Sequence, residues 1–341
     1  MTEHTITLQH DGRRAFNASL CRFNGAMLLA YRVSYNDKPD RLWLARLNPD
    51  LSTKWCMPLD VPLADGWGAE DPRLFVHDGT LHVAWTAADY TRSPWRATMF
   101  YGRVETWGPP RVEVAHQPRY GLNLSDQREK NWQFFSLGGC LFAQYQASPQ
   151  RVIQLVGDRV VGEWTSPGFA WGHGRPSGGT PPIRTNRGTL LTFFHAFTPH
   201  TERQRLYNFG AMEFSPVAPF QILRVSPGPI MTASDRWPVT SDGWSPLCVF
   251  PGGAIDHGDG WLVSAGVNDN GIRLFELYSN DVPLANPTSL PVEERGYFRA
   301  MAGFLFGGRV RTPGEIIEVD LFTARKLLTR NWIAPYENQT A

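Results

Sequence analysis

The fold is indicated by one stretch of the chain, Gly68-Ala69-Glu70-Asp71-Pro72-Arg73-Leu74-Phe75, which leads through the turn Asp78-Gly79 into the apolar strand Leu81-His82-Val83-Ala84-Trp85-Thr86. Two acids, a proline and an arginine stand directly before a strand that is apolar enough to be buried. Charged groups packed this closely beside a core are costly unless they meet partners or a ligand. An isolated Asp-Pro-Arg is more often a turn with a surface ion pair, so the rest of the chain decides.

The pattern of a turn glycine followed by a short apolar strand occurs five times. The glycines are separated by roughly 50 to 70 residues, which is typical of four-stranded sheets repeated around an axis. Hairpin turns that require a positive φ explain why glycine recurs at this place. The copies are Asn24–Arg32, Asp78–Thr86, Gly138–Gln146, Arg187–His195 and Asp259–Val267. The sequence therefore predicts an all-β fold, a five-bladed β-propeller.

No linker divides the chain, so residues 1–341 are predicted to form a single propeller domain. Residues 1–14 are interpreted as a polar lead-in or as an outer strand that closes the ring. Helical character in Thr312–Leu328 predicts a short C-terminal helix.

The register of the repeats predicts two rings of residues near the propeller axis. Eight residues before the glycines lie Asn17, Asp71, Asn131, Thr180 and Gly252, and seven residues after them lie Arg32, Thr86, Gln146, His195 and Val267. Propeller channels are often lined by polar residues without any chemistry. A set that combines an acid, several cations and amides favours a ligand site instead.

Composition limits the classes of function. The chain has 341 residues and a formal net charge of +1, so no global field predicts nucleic acid or an anionic membrane as a partner. No apolar run is long enough to span a bilayer, and no secretory signal is recognised. The four cysteines lack Cys-x-x-Cys spacing, and reduced, buried thiols in a cytoplasmic protein are the expectation. Nucleotide-binding loops, hydrolase elbows and metalloprotease motifs are absent, so no cofactor and no metal are predicted.

The motifs in this order resemble those of glycoside hydrolase family 130. The matching segments are Phe16-Asn17-Ala18-Ser19, Ala30-Tyr31-Arg32, Leu44-Ala45-Arg46, Glu70-Asp71-Pro72-Arg73, Lys130-Asn131-Trp132, Thr180-Pro181-Pro182-Ile183-Arg184-Thr185, His195, Phe250-Pro251-Gly252-Gly253 and Asn268-Asp269. Proteins of that family are five-bladed propellers, mostly inverting β-mannoside phosphorylases with some β-mannosidases. The resemblance implies a phosphorylase that converts a β-mannoside and inorganic phosphate to α-mannose 1-phosphate.

The resemblance also implies roles for single residues. Asp71 would be the general acid, which protonates the glycosidic oxygen through the 3-hydroxyl of the sugar. The substrate-binding set would be Asn17, Arg32, Arg46, Glu70, Arg73 and Asp269, and the phosphate-binding set Lys130, Asn131, Arg184 and His195. The implied partners are an oligosaccharide or mannoside and phosphate as co-substrate, and a homo-oligomer is compatible with the sequence.

The acids and cations of the predicted site leave open whether phosphate or water accepts the mannosyl group. A phosphorylase needs one acid and cations for phosphate, whereas an inverting hydrolase needs a second carboxyl group to activate water. Family phosphorylases carry an arginine where this chain has Gln146, and Arg151 or Arg175 would have to replace it. The alternatives are an inverting β-mannosidase with Glu129 or Glu163 as base, a related β-mannosyltransferase and a non-catalytic glycan-binding propeller.

Overall fold

Five antiparallel sheets, four with four strands and one with five, account for most of the chain in the computed structural model. The structure describes residues 1–8, 10, 13–35, 39–91, 93, 95–120, 129–199, 205–238, 247–287, 295–301, 304–306, 309–320 and 333–335. Strand β1 (Thr2–Ile6) precedes the first blade. Blade one contains β2 (Arg14–Phe23), β3 (Ala26–Ser34), β4 (Arg41–Leu47) and β5 (Thr53–Pro58).

The next three blades follow in chain order. Blade two contains β6 (Trp67–His77), β7 (Thr80–Asp89), β8 (Arg96–Glu105) and β9 (Arg111–His116). Blade three contains β10 (Gln133–Leu137), β11 (Cys140–Gln146), β12 (Gln150–Val156) and β13 (Arg159–Ser166). Blade four contains β14 (Ile183–Arg184), β15 (Leu190–Pro199), β16 (Arg205–Phe214) and β17 (Ile222–Val225), with β18 (Met231–Thr232) also paired to β16.

Blade five closes the ring by combining both ends of the propeller. It contains β19 (Val249–His257), β20 (Gly260–Val267) and β21 (Gly271–Tyr278). Its fourth strand is β1, which pairs antiparallel with β21 from Thr2↔Glu276 to Ile6↔Ile272. The closing strand predicted within residues 1–14 is therefore confirmed, and so is the five-bladed propeller.

The core is divided into five apolar clusters, one at each interface between neighbouring blades. Successive side chains of a strand point to opposite faces of its sheet. In β3, Leu28 and Ala30 pack toward blade two, whereas Leu29 and Tyr31 pack toward blade five. This two-sided burial explains why the second strand of each repeat is continuously apolar.

Glycine has two different roles in the repeated turns. Asn24-Gly25 and Asp78-Gly79 have positive φ at both residues, as expected for two-residue hairpins. Gly260 instead lies within β20, where an added Cβ would approach the carbonyl oxygen of Leu277 to 2.0 Å. The last repeat therefore needs glycine for close strand packing and not for its turn.

The predicted C-terminal helix is wrong over the residues that the structure describes. Residues 316–320 form β25 (Ile316–Asp320), which pairs with β22 (Arg295–Ala300), and β22 also pairs with β26 (Ile333–Pro335). Strands β23 (Phe304–Phe306) and β24 (Arg309–Arg311) form a hairpin, and residues 321–328 of the predicted helix lie outside the described part. The β-branched pair Ile316-Ile317 and Val319 favour a strand there.

No helix in the described ranges is long and apolar enough to cross a membrane.

Candidate active site

A β-bulge at the start of the innermost strand places the central residues of the predicted site. The register shifts by one residue between Phe16 and Ser19 in β2 and between Glu70 and Arg73 in β6. Asn17 and Asp71 therefore adopt φ of 50°, a left-handed conformation that Asn and Asp tolerate better than other residues with a side chain. A bulge redirects the side chain. In blades one and two, the bulge brings an amide and a carboxyl group together.

Asp71 is held by side chains from the neighbouring blade. Nδ2 of Asn17 donates a 2.7 Å hydrogen bond to Oδ1 of Asp71, and a guanidinium nitrogen of Arg32 lies 3.4 Å from the same oxygen. Burial acts to raise the pKa of Asp71, but Arg32, Lys130, Arg73 and the Asn17 hydrogen bond together hold this pKa below its usual value. The surroundings of Asp71 therefore favour its carboxylate form.

Glu70 is the centre of a second buried network beside Asp71. It accepts a 2.6 Å hydrogen bond from Nζ of Lys130, and Arg32 lies 3.3 Å from its other oxygen. The hydroxyl of Tyr90 donates to Glu70, and Nζ of Lys130 lies 4.4 Å from the centre of the Trp95 ring. This network fixes Lys130 near Asp71 and neutralises the charge of Glu70.

Arg32 links the two networks. It pairs with Asp40 as well as with Glu70 and Asp71. Although burial acts in the opposite direction, these three carboxylates raise the pKa of Arg32 above its usual value. Arg32 is consequently a permanent cation at the junction of blades one and two.

Arg73 lies inside the propeller and not on the surface of the pocket. Its side chain is buried, Nε donates a 2.6 Å hydrogen bond to the carbonyl oxygen of Gly179, and the guanidinium lies 4.9 Å from the Phe250 ring centre. Another guanidinium nitrogen donates to the carbonyl oxygen of Pro72 at 2.9 Å, and one nitrogen has no hydrogen-bond partner. Arg73 thus connects blades two, four and five below Asp71, so the substrate-binding role predicted for it gains no support.

His195 lies beside Arg73 in an uncharged form. Its Nδ1 is 2.8 Å from the carbonyl oxygen of Gly178, which can only accept, so Nδ1 carries the hydrogen and Nε2 is left as an acceptor. Burial lowers the pKa of His195 to about 3, and the charge of Arg73 acts in the same direction. The protonated form that would hold phosphate best is therefore disfavoured.

Asp269 supplies a second carboxyl group on the side of blade five. It has φ of 48° and follows Asn268, whose amide donates to the carbonyl oxygens of Ser234 and Trp237. Burial raises the pKa of Asp269 to about 6; Arg32 opposes this shift, and the charge of Asp71 adds to it. The site thus holds two carboxyl groups whose environments separate their pKa values, a common arrangement in catalytic pairs.

Two predicted binding residues lie elsewhere. Arg32 pairs with Leu42 across β3 and β4, whereas Arg46 pairs with Leu28, toward the hairpin end, and is exposed. Arg184 is also exposed and lines a separate pocket with Glu213 and Arg224. The geometry gives no support to sugar binding by Arg46 or to phosphate binding by Arg184.

The remaining predicted residues make contacts of their own and none to Asp71 in the described part of the chain. Asn131 has φ of 65°. Its carbonyl oxygen lies against Gly178, where an added Cβ would approach it to 1.9 Å, so only glycine fits at position 178. Gln146 donates a 3.0 Å hydrogen bond to the carbonyl oxygen of Ser148. Glu129 accepts hydrogen bonds from Trp132 and Tyr145, and Glu163 lies on the outer strand β13 beside Arg151. Neither glutamate contacts Asp71 among the described residues.

Sequence reasoning missed Asp40, Tyr90 and Trp95. Asp40 and Trp95 lie in connections between strands, and Tyr90 follows directly on β7. Spacing along the repeat carries no information about such connections. The residues next to Asp40, Tyr90 and Trp95 in the sequence also form no motif that would have singled these three out.

No arrangement of three or more His, Cys, Asp or Glu side chains that could hold a metal ion occurs in the described ranges.

Comparisons with known proteins identify the fold. No family model and no curated protein matches the sequence. Among solved structures, a β-1,2-mannobiose phosphorylase from Listeria innocua, in complex with β-1,2-mannobiose, is 18% identical, with a TM-score of 0.58 over 81% of this chain and 94% of that chain. A mannose phosphorylase from Leishmania mexicana, in complex with phosphate, is 15% identical, with a TM-score of 0.56 over 86% and 93%.

A third similar structure belongs to work on the GH130 family of mannoside phosphorylases, which contains glycoside hydrolases that target β-1,2-mannosidic linkages in Candida mannan. It is 15% identical, with a TM-score of 0.57 over 82% of this chain and 86% of that chain. The resemblance to glycoside hydrolase family 130 is thereby confirmed at the level of the fold. At these identities the likeness carries the fold alone.

Proposed function

We propose that this protein cleaves a β-mannosidic bond with inversion and transfers the mannosyl group to inorganic phosphate, giving α-mannose 1-phosphate. The observation that carries the proposal is Asp71, a half-buried carboxyl group held by Asn17 and Arg32 beside the Glu70–Lys130 pair. The fold shared with two phosphorylases, one of them in complex with phosphate, supports it.

The proposed reaction needs one proton and one nucleophile. A phosphate oxygen attacks the anomeric carbon from the face opposite the leaving group, and the bond from that carbon to the glycosidic oxygen breaks. Asp71 first takes up a proton from solvent and then passes it to this oxygen. In the reverse direction, the Asp71 carboxylate accepts the proton of the acceptor hydroxyl. The surrounding cations lower the pKa of Asp71, and the carboxylate form that they favour is the one this reverse, synthetic direction needs.

The test is phosphate release from α-mannose 1-phosphate with a panel of acceptor sugars. Asp71→Asn should lower the rate by at least about a hundredfold, since a general acid or base contributes typically 10²–10⁴-fold. Asp78→Asn is the matched control, because Asp78 also has positive φ, 47°, but lies in an exposed hairpin. A loss of less than about tenfold in Asp71→Asn would remove Asp71 from this role.

Hydrolysis is the second candidate, and specific observations favour it. Arg184 lies in another pocket, His195 is uncharged, and Asp269 offers a second carboxyl group near Asp71. An inverting hydrolase requires such a pair. Turnover of β-mannobiose without phosphate, abolished in both Asp71→Asn and Asp269→Asn, would establish the hydrolase. Saturable sugar binding with no turnover under either condition would instead indicate a binding module.

A further inference from the structure

A second pocket lies between blades four and five, away from Asp71. It has a volume of about 770 Å³ and is lined by the β14–β15 hairpin, the β19–β20 hairpin and the segment after β21. In β19, Gly252 lies at the level of the candidate active site, whereas the pocket is reached at Gly258–Gly260, roughly 20 Å further along the strand. The pocket is therefore separate from the candidate active site.

One aromatic ring forms part of the wall of this pocket. Trp261 lines it and is only partly buried, while its ring packs edge-on against Phe193 with centres 6.2 Å apart. Exposed polar side chains surround this ring: Arg184, Asn186 and Arg187 from one hairpin, and Asp256 and Asp259 from the other. An apolar ring with convergent planar polar groups suits a ligand with both apolar faces and hydroxyl groups.

The charges of the pocket are balanced. Glu213 and Arg224 neutralise each other through a 2.5 Å hydrogen bond, and Thr189 also donates to Glu213. Among the described residues, the side chains of Arg184 and Arg187 have no hydrogen-bond or ion-pair partner. Their two positive charges match the negative charges of Asp256 and Asp259, so a strongly charged ligand gains no net attraction.

We propose that this pocket binds a neutral oligosaccharide, with Trp261 packed against the C–H face of a sugar ring. The arginines donate hydrogen bonds to sugar hydroxyls, and the aspartates accept hydrogen bonds from them. The volume lies in the range usual for pockets that hold small ligands. This inference does not rest on the proposed function, because it uses no residue near Asp71.

The experiment measures binding of mannopentaose, cellopentaose and maltopentaose to the full chain by calorimetry. Arg187→Ala, Asp259→Ala and Trp261→Leu should each weaken binding of at least one probe about tenfold, as expected for central contacts. Asp71→Asn should retain this binding. Trp261→Leu also removes a contact to Phe193, so the thermal unfolding of this variant is measured as well. If the variant does not fold, Arg187→Ala and Asp259→Ala, which change exposed side chains, provide the test.

Several outcomes would overturn the assignment. The assignment is wrong if none of the three oligosaccharides binds at millimolar concentration. It is also wrong if one binds and the three pocket variants bind it as tightly as the unchanged protein. Binding of inorganic phosphate that is lost in Arg187→Ala but kept in Asp259→Ala would show an anion site instead. Absence of turnover in every assay, with pocket binding intact, would reject only the proposed function.

Discussion

At the scale of single residues, the candidate site contains two carboxyl-bearing residues whose backbone conformation and desolvation are unfavourable for stability and which are suited to acid–base chemistry. Asp71 and Asp269 both adopt left-handed backbone conformations, and both are half-buried near charged groups. Strained or desolvated residues persist where the surrounding structure over-determines them, which is common at functional sites.

Asp269 gives a prediction about pH. Its folded-state pKa of about 6 is above the usual value of 3.8, so the folded protein keeps a proton that the unfolded chain has lost. Stability attributable to this group therefore falls as pH rises between about 4 and 6 and stays low above that. Asp269→Asn should remove the cost and stabilise the protein at pH 8 by at most about 3 kcal/mol, with a smaller gain at pH 4.

Urea unfolding of Asp269→Asn at the two pH values measures this effect. Asp259→Asn, in an exposed hairpin, is the matched control and should change little. An equal gain at both pH values would show that Asp269 is not the titrating group.

Arg73 gives a prediction about stability. Arg73→Met keeps the length of the side chain but leaves the carbonyl oxygens of Gly179 and Pro72 without their donor. Removing one side of a buried polar contact costs more than the contact itself contributes. We expect a loss of about 2–4 kcal/mol in the free energy of unfolding, measured with urea. Arg103→Met, on the half-exposed third strand of blade two, should lose less than about 1 kcal/mol.

At the scale of elements, buried polar side chains connect neighbouring blades. Oγ of Ser19 accepts a 2.8 Å hydrogen bond from the backbone N–H of Leu74, joining blades one and two. Oγ of Ser264 accepts from Leu20 and donates to Ala18, joining blades five and one. Gln133 donates to the carbonyl oxygen of Thr180, joining blades three and four. These bonds satisfy backbone groups at the interfaces between blades.

Ser19→Ala tests this account. The substitution leaves the N–H of Leu74 buried without an acceptor, so we expect a loss of about 1–3 kcal/mol in stability. Ser52→Ala, at an exposed turn, should change stability by less than about 0.5 kcal/mol. Equal unfolding curves for both variants would show that water or another group replaces the Ser19 hydroxyl.

The repeat predicted the strands and turns well because those depend on local pattern. Asn24-Gly25 and Asp78-Gly79 specify their hairpins. The register eight residues before each glycine grouped Asn17 and Asp71 in one predicted ring, and these two side chains are hydrogen-bonded. Arg46 and Arg184 were assigned from the family resemblance, which does not report the surroundings of a side chain in this chain, where both are exposed. Asp40 lies in the connection between β3 and β4, and the repeat pattern does not predict which side chains such a connection places beside the site.

At the scale of the whole molecule, the ring is held closed by β1. Its pairing with β21 is reinforced by Glu3, which accepts hydrogen bonds from Trp237 at 3.0 Å and from Arg273 at 2.8 Å. Without β1, the backbone of β21 becomes a sheet edge open to pairing with other chains.

Deletion of residues 1–6 should therefore lower Tm by at least about 5 °C and make aggregation depend on concentration. Glu3→Gln keeps the strand but removes the ion pair, and it should lower Tm by less than about 2 °C. Calorimetry and light scattering compare the two. A Tm of the deletion variant close to that of Glu3→Gln would mean that β1 is dispensable for closure.

Closure by β1 also sets an order of events during synthesis. Because Ile6 pairs with Ile272, the ribosome must release nearly the whole propeller before the first strand can find its partner. Blades one to four draw all their strands from consecutive segments and can form as they emerge, whereas blade five waits with an unprotected edge. Such a late, long-range contact slows the completion of the fold and leaves that edge open to aggregation until β1 pairs with it.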